Sequence, residues 1–193
     1  MTNEALVTHE VAAWIAGDPV TVADVDARLA AIRSAAFGTR LPSPTSAEGR
    51  NVRRWVVQLM CAERIVRNAL AAEGFSLGEC PRQVGVNQAM ALGGVAAAVL
   101  ATVPELGDWA RSWQRPIADS AIREYYRRNP DLYADRGISF RDAHNQIASE
   151  LREEATARAV ASWLDERLAH DVVLAHGFEH PADPANPDAT HRH

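Results

Sequence analysis

Histidines are concentrated at the end of the chain, where they could bind a metal ion. Five of the seven histidines lie in the last 24 residues. Imidazole is the commonest side-chain ligand of transition metals, and carboxylates often complete such sites. The candidate ligands of a divalent transition metal are His176, Glu179, His180, His191 and His193. Their spacing matches neither a zinc finger nor HExxH, so a polar tail without a metal is the alternative.

Tryptophans could line an apolar groove. The chain has five, and two of them, Trp109 and Trp113, are four residues apart on a predicted helix. Aromatic rings offer a large apolar contact area and demand little of the ligand's sequence. We therefore expect Trp109 and Trp113 to contact an extended apolar ligand. Core packing is the alternative, and we expect it for at least three of the five tryptophans.

A charged and aromatic segment precedes Pro130. Glu124, Tyr125 and Tyr126 offer an acid and two hydroxyl groups, with arginines on both sides. We include Tyr125 and Tyr126 with the tryptophan pair as candidate ligand-binding residues. The alternative is a structural role in a helix that Pro130 forces to end.

The second long helical pattern contains two groups that could be reactive. Glu63 stands beside Arg64 and is predicted to form a buried ion pair. A buried carboxylate that faces a cavity would be a candidate base, although structural pairing is commoner. Cys61 lies in an apolar stretch and is predicted to be a core residue. We expect no disulfide with Cys80, because a reducing compartment is expected.

Charge and motif content disfavour several classes of function. The net charge is -5, and every basic residue is an arginine. A general nucleic-acid binder would show a basic stripe, so no nucleic-acid partner is expected. The arginines of the second long helix follow helical spacing and predict a solvated face: Arg50, Arg53, Arg54, Arg64 and Arg67. The chain lacks GxGxxG, Walker, GxSxG and CxxC motifs, so we expect no nucleotide cofactor, serine-hydrolase chemistry or thiol redox chemistry.

The sequence predicts neither export nor membrane insertion. No apolar run approaches the ~18 residues that a membrane span needs. The segment MTNEALVTHEVAAW lacks the basic and apolar regions of a signal peptide. We therefore expect a cytoplasmic protein without a membrane partner.

Apolar spacing predicts a mainly helical chain. A first helix should begin after the capping residue Thr21 and stop near Gly38. A second, over residues 48–73, carries so wide an apolar stripe that it should be sandwiched between other elements. The longest pattern runs from Phe140 to His170. Its expected buried face consists of Ile147, Leu151, Ala155, Ala159, Trp163 and Leu168. Residues 171–175 are β-prone.

Four segments, in their order along the chain, resemble the N-terminal domain of SurA- and PrsA-type chaperones. They are VAAWIAGDPVTVADVDARLAAI, NVRRWVVQLMCAERIVRNALAAEGF, IADSAIREYYRRNPDLY and FRDAHNQIASELREEATARAVASWLDERLAHDVVLAHG. Only residues 134–139 stand where that family carries its parvulin prolyl isomerase domain, so the resemblance implies a chain without isomerase activity. It also implies a single helical domain over residues 1–178, followed by a His- and Pro-rich tail over 179–193. A short pair of β-strands from the two chain ends, residues 10–16 and 171–176, should close that domain.

Two functions from different classes follow. The first is a cytoplasmic SurA-like helical binding protein that holds an apolar extended ligand, either a peptide or an acyl chain. The alternative is a small-molecule isomerase, cyclase or lyase on the same scaffold, in a biosynthetic pathway, with the C-terminal histidines as a metal or acid–base site. Whether the protein is an enzyme stays open at this point, as does a homo-oligomeric state.

Overall fold

The computed structural model describes residues 10–34, 41–78 and 94–179 and is mainly helical, as the sequence predicts. Its elements, in chain order, are β1 (Val11–Ile15), β2 (Asp18–Thr21), α1 (Val22–Ser34), α2 (Ala47–Ala72), α3 (Val95–Thr102), α4 (Glu105–Arg111), α5 (Asp119–Arg128), a 3₁₀ helix (Ala134–Arg136), α6 (Phe140–Asp171) and β3 (Val172–Leu174). Among the described residues, no helix is both long enough and apolar enough to cross a membrane.

The chain forms two compact units. The first unit comprises the described residues through Leu106 together with those from Leu164 onward. The second unit is Gly107–Trp163. Helix α6 runs from Phe140 to Asp171, so its residues up to Trp163 belong to the second unit and those from Leu164 onward belong to the first.

A tight hairpin opens the first unit. β1 and β2 are antiparallel, and Ile15 pairs with Asp18 across a two-residue turn. Both turn residues have positive φ, 49° at Ala16 and 96° at Gly17, as a type I′ turn requires. The sequence predicts a turn over Gly17, Asp18 and Pro19; Gly17 lies in the turn, whereas Asp18 and Pro19 begin β2. Proline is tolerated there because the strand order β2-β1-β3 makes β2 an edge strand.

The two ends of the described chain pair with each other, as predicted. β3 is antiparallel to β1, with Trp14 opposite Val173 and Ile15 opposite Val172. The backbone N–H of Ala16 donates to Asp171 O at 2.8 Å, at the end of the paired region. The paired strand is shorter than the predicted 171–176, because α6 continues through Asp171.

Side-chain caps begin both helices that follow the hairpin. Thr21 Oγ1 accepts a hydrogen bond from Asp24 N at 3.1 Å, and Asp24 Oδ2 accepts one from Thr21 N at 3.1 Å. This reciprocal pair satisfies two donors at the start of α1. Ser46 Oγ accepts from Gly49 N at 3.0 Å and caps α2. A Cβ atom at Gly49 would lie 1.8 Å from Ser43 O, so only glycine fits there. The predicted end of α1 near Gly38 falls outside the described residues.

Helix α2 is the centre of the first unit and is buried over most of its circumference. Its fully buried residues are Val56, Val57, Cys61, Ala62, Val66 and Leu70. α1, α3 and β1 all pack against it, which confirms the predicted sandwiched helix. The predicted solvated arginine face is wrong at Arg54, which is 4% exposed. Arg54 Nε donates to Gly177 O at 3.2 Å and Nη1 donates to Asn51 Oδ1 at 3.0 Å.

The second unit has its own core, built around Tyr133. Ile122, Ala143 and Ile147 are buried with Tyr133. Tyr126 stacks on Tyr133 at a centroid distance of 5.5 Å, and its hydroxyl donates to Ile138 O at 2.7 Å. These contacts connect α5 with the short segment, residues 134–139, that leads into α6.

The buried face of α6 differs from the predicted one in its second half. Ala155 and Ala159 are exposed, whereas Val160 and Leu164 are buried at 1% exposure each. Alanine contributes little apolar area, so the larger Val160 is buried in place of the neighbouring Ala159.

Candidate functional site

Three tryptophans form one cluster in the second unit. Trp109 lies on α4, Trp113 in the turn that follows α4, and Trp163 on α6. Trp109 lies 4.8 Å from Trp113 and 5.4 Å from Trp163, and Trp113 lies 5.8 Å from Trp163, measured between ring centroids. All three pairs meet edge to face, an arrangement that aromatic quadrupoles favour. We call these three residues the tryptophan cluster.

The tryptophan cluster is partly open to solvent, since each of the three side chains is only partly buried. The sequence placed Trp109 and Trp113 together but assigned Trp163 to the packed face of α6. The missing information was the contact between α4 and α6, for which no local pattern exists.

Tyr125 and Tyr126 belong to a different cluster. Their rings lie 6.4 Å and 5.5 Å from the ring of buried Tyr133. Phe140 packs edge to face on Tyr126 at 5.6 Å. Neighbouring Glu124 forms exposed ion pairs with Arg127 and Arg128. The Arg127 hydrogen bond is the main cause that lowers the pKa of Glu124. These contacts are those of a packed helix with a solvated outer face.

A buried ion pair in the first unit joins α1 to α2. Arg28 Nη2 donates to Glu63 Oε1 at 2.9 Å, and the two side chains are 11% and 5% exposed. Glu63 is thus buried and paired as predicted, but its partner is Arg28 rather than the adjacent Arg64. Burial raises the pKa of Glu63, while Arg28, the Thr102 hydroxyl and Arg67 act in the opposite direction.

The sequence does contain a signal for this ion pair. Glu63 is four residues after Leu59 and three before Val66, so it lies on the buried face of α2. Arg28 is three residues after buried Val25 on α1. Two opposite charges on the apolar faces of neighbouring helices would have predicted the pair.

Two cavities lie between α1 and α2. The first has a volume of about 210 Å³ and is lined by Arg28, Met60, Glu63, Arg64 and Arg67. The second has a volume of about 250 Å³ and is lined by Asp26, Leu29, Ala30, Arg33, Pro44, Gly49 and Arg53. In the second cavity Arg53 Nη2 bonds Asp26 Oδ1 at 2.7 Å, and the Arg53 guanidinium lies 5.3 Å from the centroid of the Phe178 ring.

The histidine-rich tail is described only at its start. His176 Nδ1 lies 2.9 Å from Glu179 Oε1, and Gly177 N donates to that oxygen at 2.8 Å. Hydrogen bonding from the backbone lowers the pKa of Glu179. His180, His191 and His193 lie outside the described residues. Within the described part of the chain, no three His, Cys, Asp or Glu side chains are grouped as metal ligands.

Comparison with known proteins identifies one similar segment. Residues 11–48 match DUF7158, a family of unknown function. No curated protein and no solved structure matches the chain. The matched segment spans β1, β2, α1 and the first residues of α2. It therefore includes Arg28 and most of the lining of the second cavity, and none of the tryptophan cluster.

Proposed function

We propose that this protein is a helical binding protein that holds an apolar, extended ligand against the tryptophan cluster. The observation that carries the proposal is the edge-to-face packing of Trp109, Trp113 and Trp163 with all three rings partly exposed. A ligand with a long apolar chain, either a peptide or an acyl group, would cover these rings.

The physical support is the cost of leaving aromatic area in water. Burial of apolar surface is worth about 25 cal/mol per Å², and tryptophan has the largest apolar side chain. Mutual packing also limits the ring motions of the cluster, so the tryptophan side chains would lose little further entropy when a ligand binds. The rings offer mainly apolar contact, so we expect them to recognise the shape and apolar surface of a ligand rather than a particular sequence.

The element order is consistent with a SurA-like scaffold that lacks the isomerase domain. In the second unit, α5 leads through buried Tyr133 and a three-residue 3₁₀ helix directly into α6. The Tyr126 hydroxyl bonds the backbone at Ile138 across this join. We therefore include in the proposal that the protein does not catalyse proline isomerisation, which a standard proline-peptide assay measures.

Ligand titration tests the binding function. A fluorescein-labelled peptide rich in leucine and valine and, separately, palmitate are titrated into the untagged protein, with fluorescence anisotropy and calorimetry as the readouts. We expect saturable binding of at least one of them, and the stronger binder identifies the ligand class. Trp113→Leu should weaken binding by roughly tenfold, because one aromatic contact contributes about 1.5 kcal/mol.

Trp14 provides the matched control. It is 37% exposed and lies on β1 in the first unit. Trp14→Leu removes an exposed tryptophan of the same type without touching the tryptophan cluster, so affinity should stay unchanged. Equal losses from the two variants, or no saturable binding of either ligand, would refute the proposal.

The enzymatic alternative is a proposal with a separate test. It places a metal or acid–base site in the C-terminal histidine tail, of which the His176–Glu179 contact is the described part. Metal binding that depends on His176 would support it.

A further inference from the structure

The first cavity between α1 and α2 is lined mainly by charged side chains. Three arginines and one glutamate line about 210 Å³ of space. With Glu63 ionised, the lining carries two more positive charges than negative ones, and protonation of Glu63 raises that excess to three. Either state attracts an anion.

The arginines that line the cavity are held in place before any ligand binds. Arg64 Nη1 donates to Pro19 O at 2.9 Å, and Arg67 Nη2 donates to Gly78 O at 2.6 Å. Arg28 is held by Glu63. Fixed guanidinium groups lose little entropy when they bind a carboxylate, and their planar forks match its two oxygens.

Arg28 has a buried donor that needs an acceptor. Its side chain is 11% exposed, and its Nη2 donates to Glu63 Oε1 at 2.9 Å. Its Nε atom is buried, and it has no hydrogen-bond partner among the described residues. Because a buried N–H without an acceptor destabilises the fold, an anionic oxygen near Arg28 would be favourable.

We propose that this cavity binds a small dicarboxylate, with a short apolar chain between its two carboxylate groups. Two negative charges balance the two excess positive charges of the lining. Drug-sized ligands occupy pockets of ~300–1,000 Å³, so the smaller cavity fits a chain of only a few carbons. Met60 gives the lining an apolar contact that inorganic phosphate, which is also a dianion, would not use.

Calorimetric titration of the untagged protein tests the site. The probes are succinate, glutarate and adipate, with butyrate and inorganic phosphate for comparison. We expect saturable binding of one dicarboxylate per chain, at least tenfold tighter than butyrate or phosphate, with an optimum in chain length. Arg64→Gln and Arg67→Gln should each weaken this binding by at least tenfold.

Arg50 supplies the matched control. It also lies on α2, and its Nη1 donates to a backbone carbonyl, Thr45 O, at 2.7 Å, but it does not line this cavity. Arg50→Gln should change affinity by less than about twofold. Circular dichroism and urea midpoints establish that each variant is folded.

Three results would overturn the proposal. They are an equal loss of affinity in Arg50→Gln, phosphate binding as tight as any dicarboxylate, and no saturable binding up to about 10 mM. None of them bears on the binding function proposed above, because the two sites share no residue and take different ligands.

Discussion

Trp14 and Val173 lie directly opposite each other on antiparallel strands from the two ends of the described chain. Both face solvent, with exposures of 37% and 63%, whereas Ala13 and Ile15 on either side of Trp14 are buried. The alternation shows that one face of this small sheet packs against the rest of the first unit and the other face is exposed. Strand β3 therefore stabilises the fold through its inward residues and its backbone.

The first prediction compares two neighbouring valines of β3. Val172→Asp should lower the free energy of unfolding by about 2 kcal/mol, because it places a carboxylate on the packed face. Val173→Asp makes the same change on the exposed face and should cost less than about 1 kcal/mol, mostly through β-propensity. Urea unfolding measures both values. Equal losses would show that β3 does not pack in the register described.

The second prediction concerns the buried thiol of Cys61. Burial raises its pKa to about 11. At about pH 8 only roughly one molecule in a thousand would carry the thiolate, which is the reactive form. In a Cys80→Ser background, Ellman's reagent should therefore leave the native protein unmodified and titrate one thiol after unfolding in guanidinium. Rapid reaction of the native protein would contradict the burial of Cys61.

The third prediction uses pH to test the environment of Glu63. Its pKa is raised by burial, so the folded state holds the proton more tightly than the unfolded state does. The resulting stabilisation is complete below the unfolded pKa of ~4.3 and is lost as pH rises through the folded pKa. Glu63→Gln removes this dependence. Its stability relative to the wild type should therefore increase from about pH 4 to pH 7.

Glu124 is the control for that measurement, because its pKa shifts in the opposite direction. The Arg127 hydrogen bond lowers it, so its contribution to stability is present at neutral pH and is lost as pH falls. Glu124→Gln should therefore lose stability relative to the wild type from about pH 4 to pH 7, and by a small amount because the pair is exposed. The same pH trend in both variants would contradict the burial effect at Glu63.

The fourth prediction tests the histidine tail. If His176, His180, His191 and His193 converge, the untagged protein should bind one Zn²⁺, and affinity should fall below about pH 6.5, where imidazole is protonated. His176→Ala should weaken Zn²⁺ binding by at least roughly tenfold. His170→Ala is the control, because that residue lies in the last turn of α6 and contacts Asp171. Substoichiometric zinc that is unchanged in His176→Ala would exclude the site.

Local patterns in the sequence predicted much of the fold because they depend on residues that are close along the chain. Helical spacing predicted the sandwiched helix α2, and Thr21 and Ser46 cap the helices that follow them. The pairing of β3 with β1 was predicted from the β-propensity after the long helix together with the strand order that the resemblance to SurA- and PrsA-type chaperones implies. The hairpin strand β2 was missed, because Asp18 and Pro19 are turn formers that an edge strand can accept.

The sequence alone determined that the chain is mainly helical, and which residues carry charge and aromatic area. Tertiary structure alone decided that Trp163 joins Trp109 and Trp113, and that Arg54 is buried against Gly177. The physical reason is distance along the chain. A helix or a cap forms from interactions over a few residues, whereas each of these partners comes from another element whose position depends on the packing of the unit that contains it.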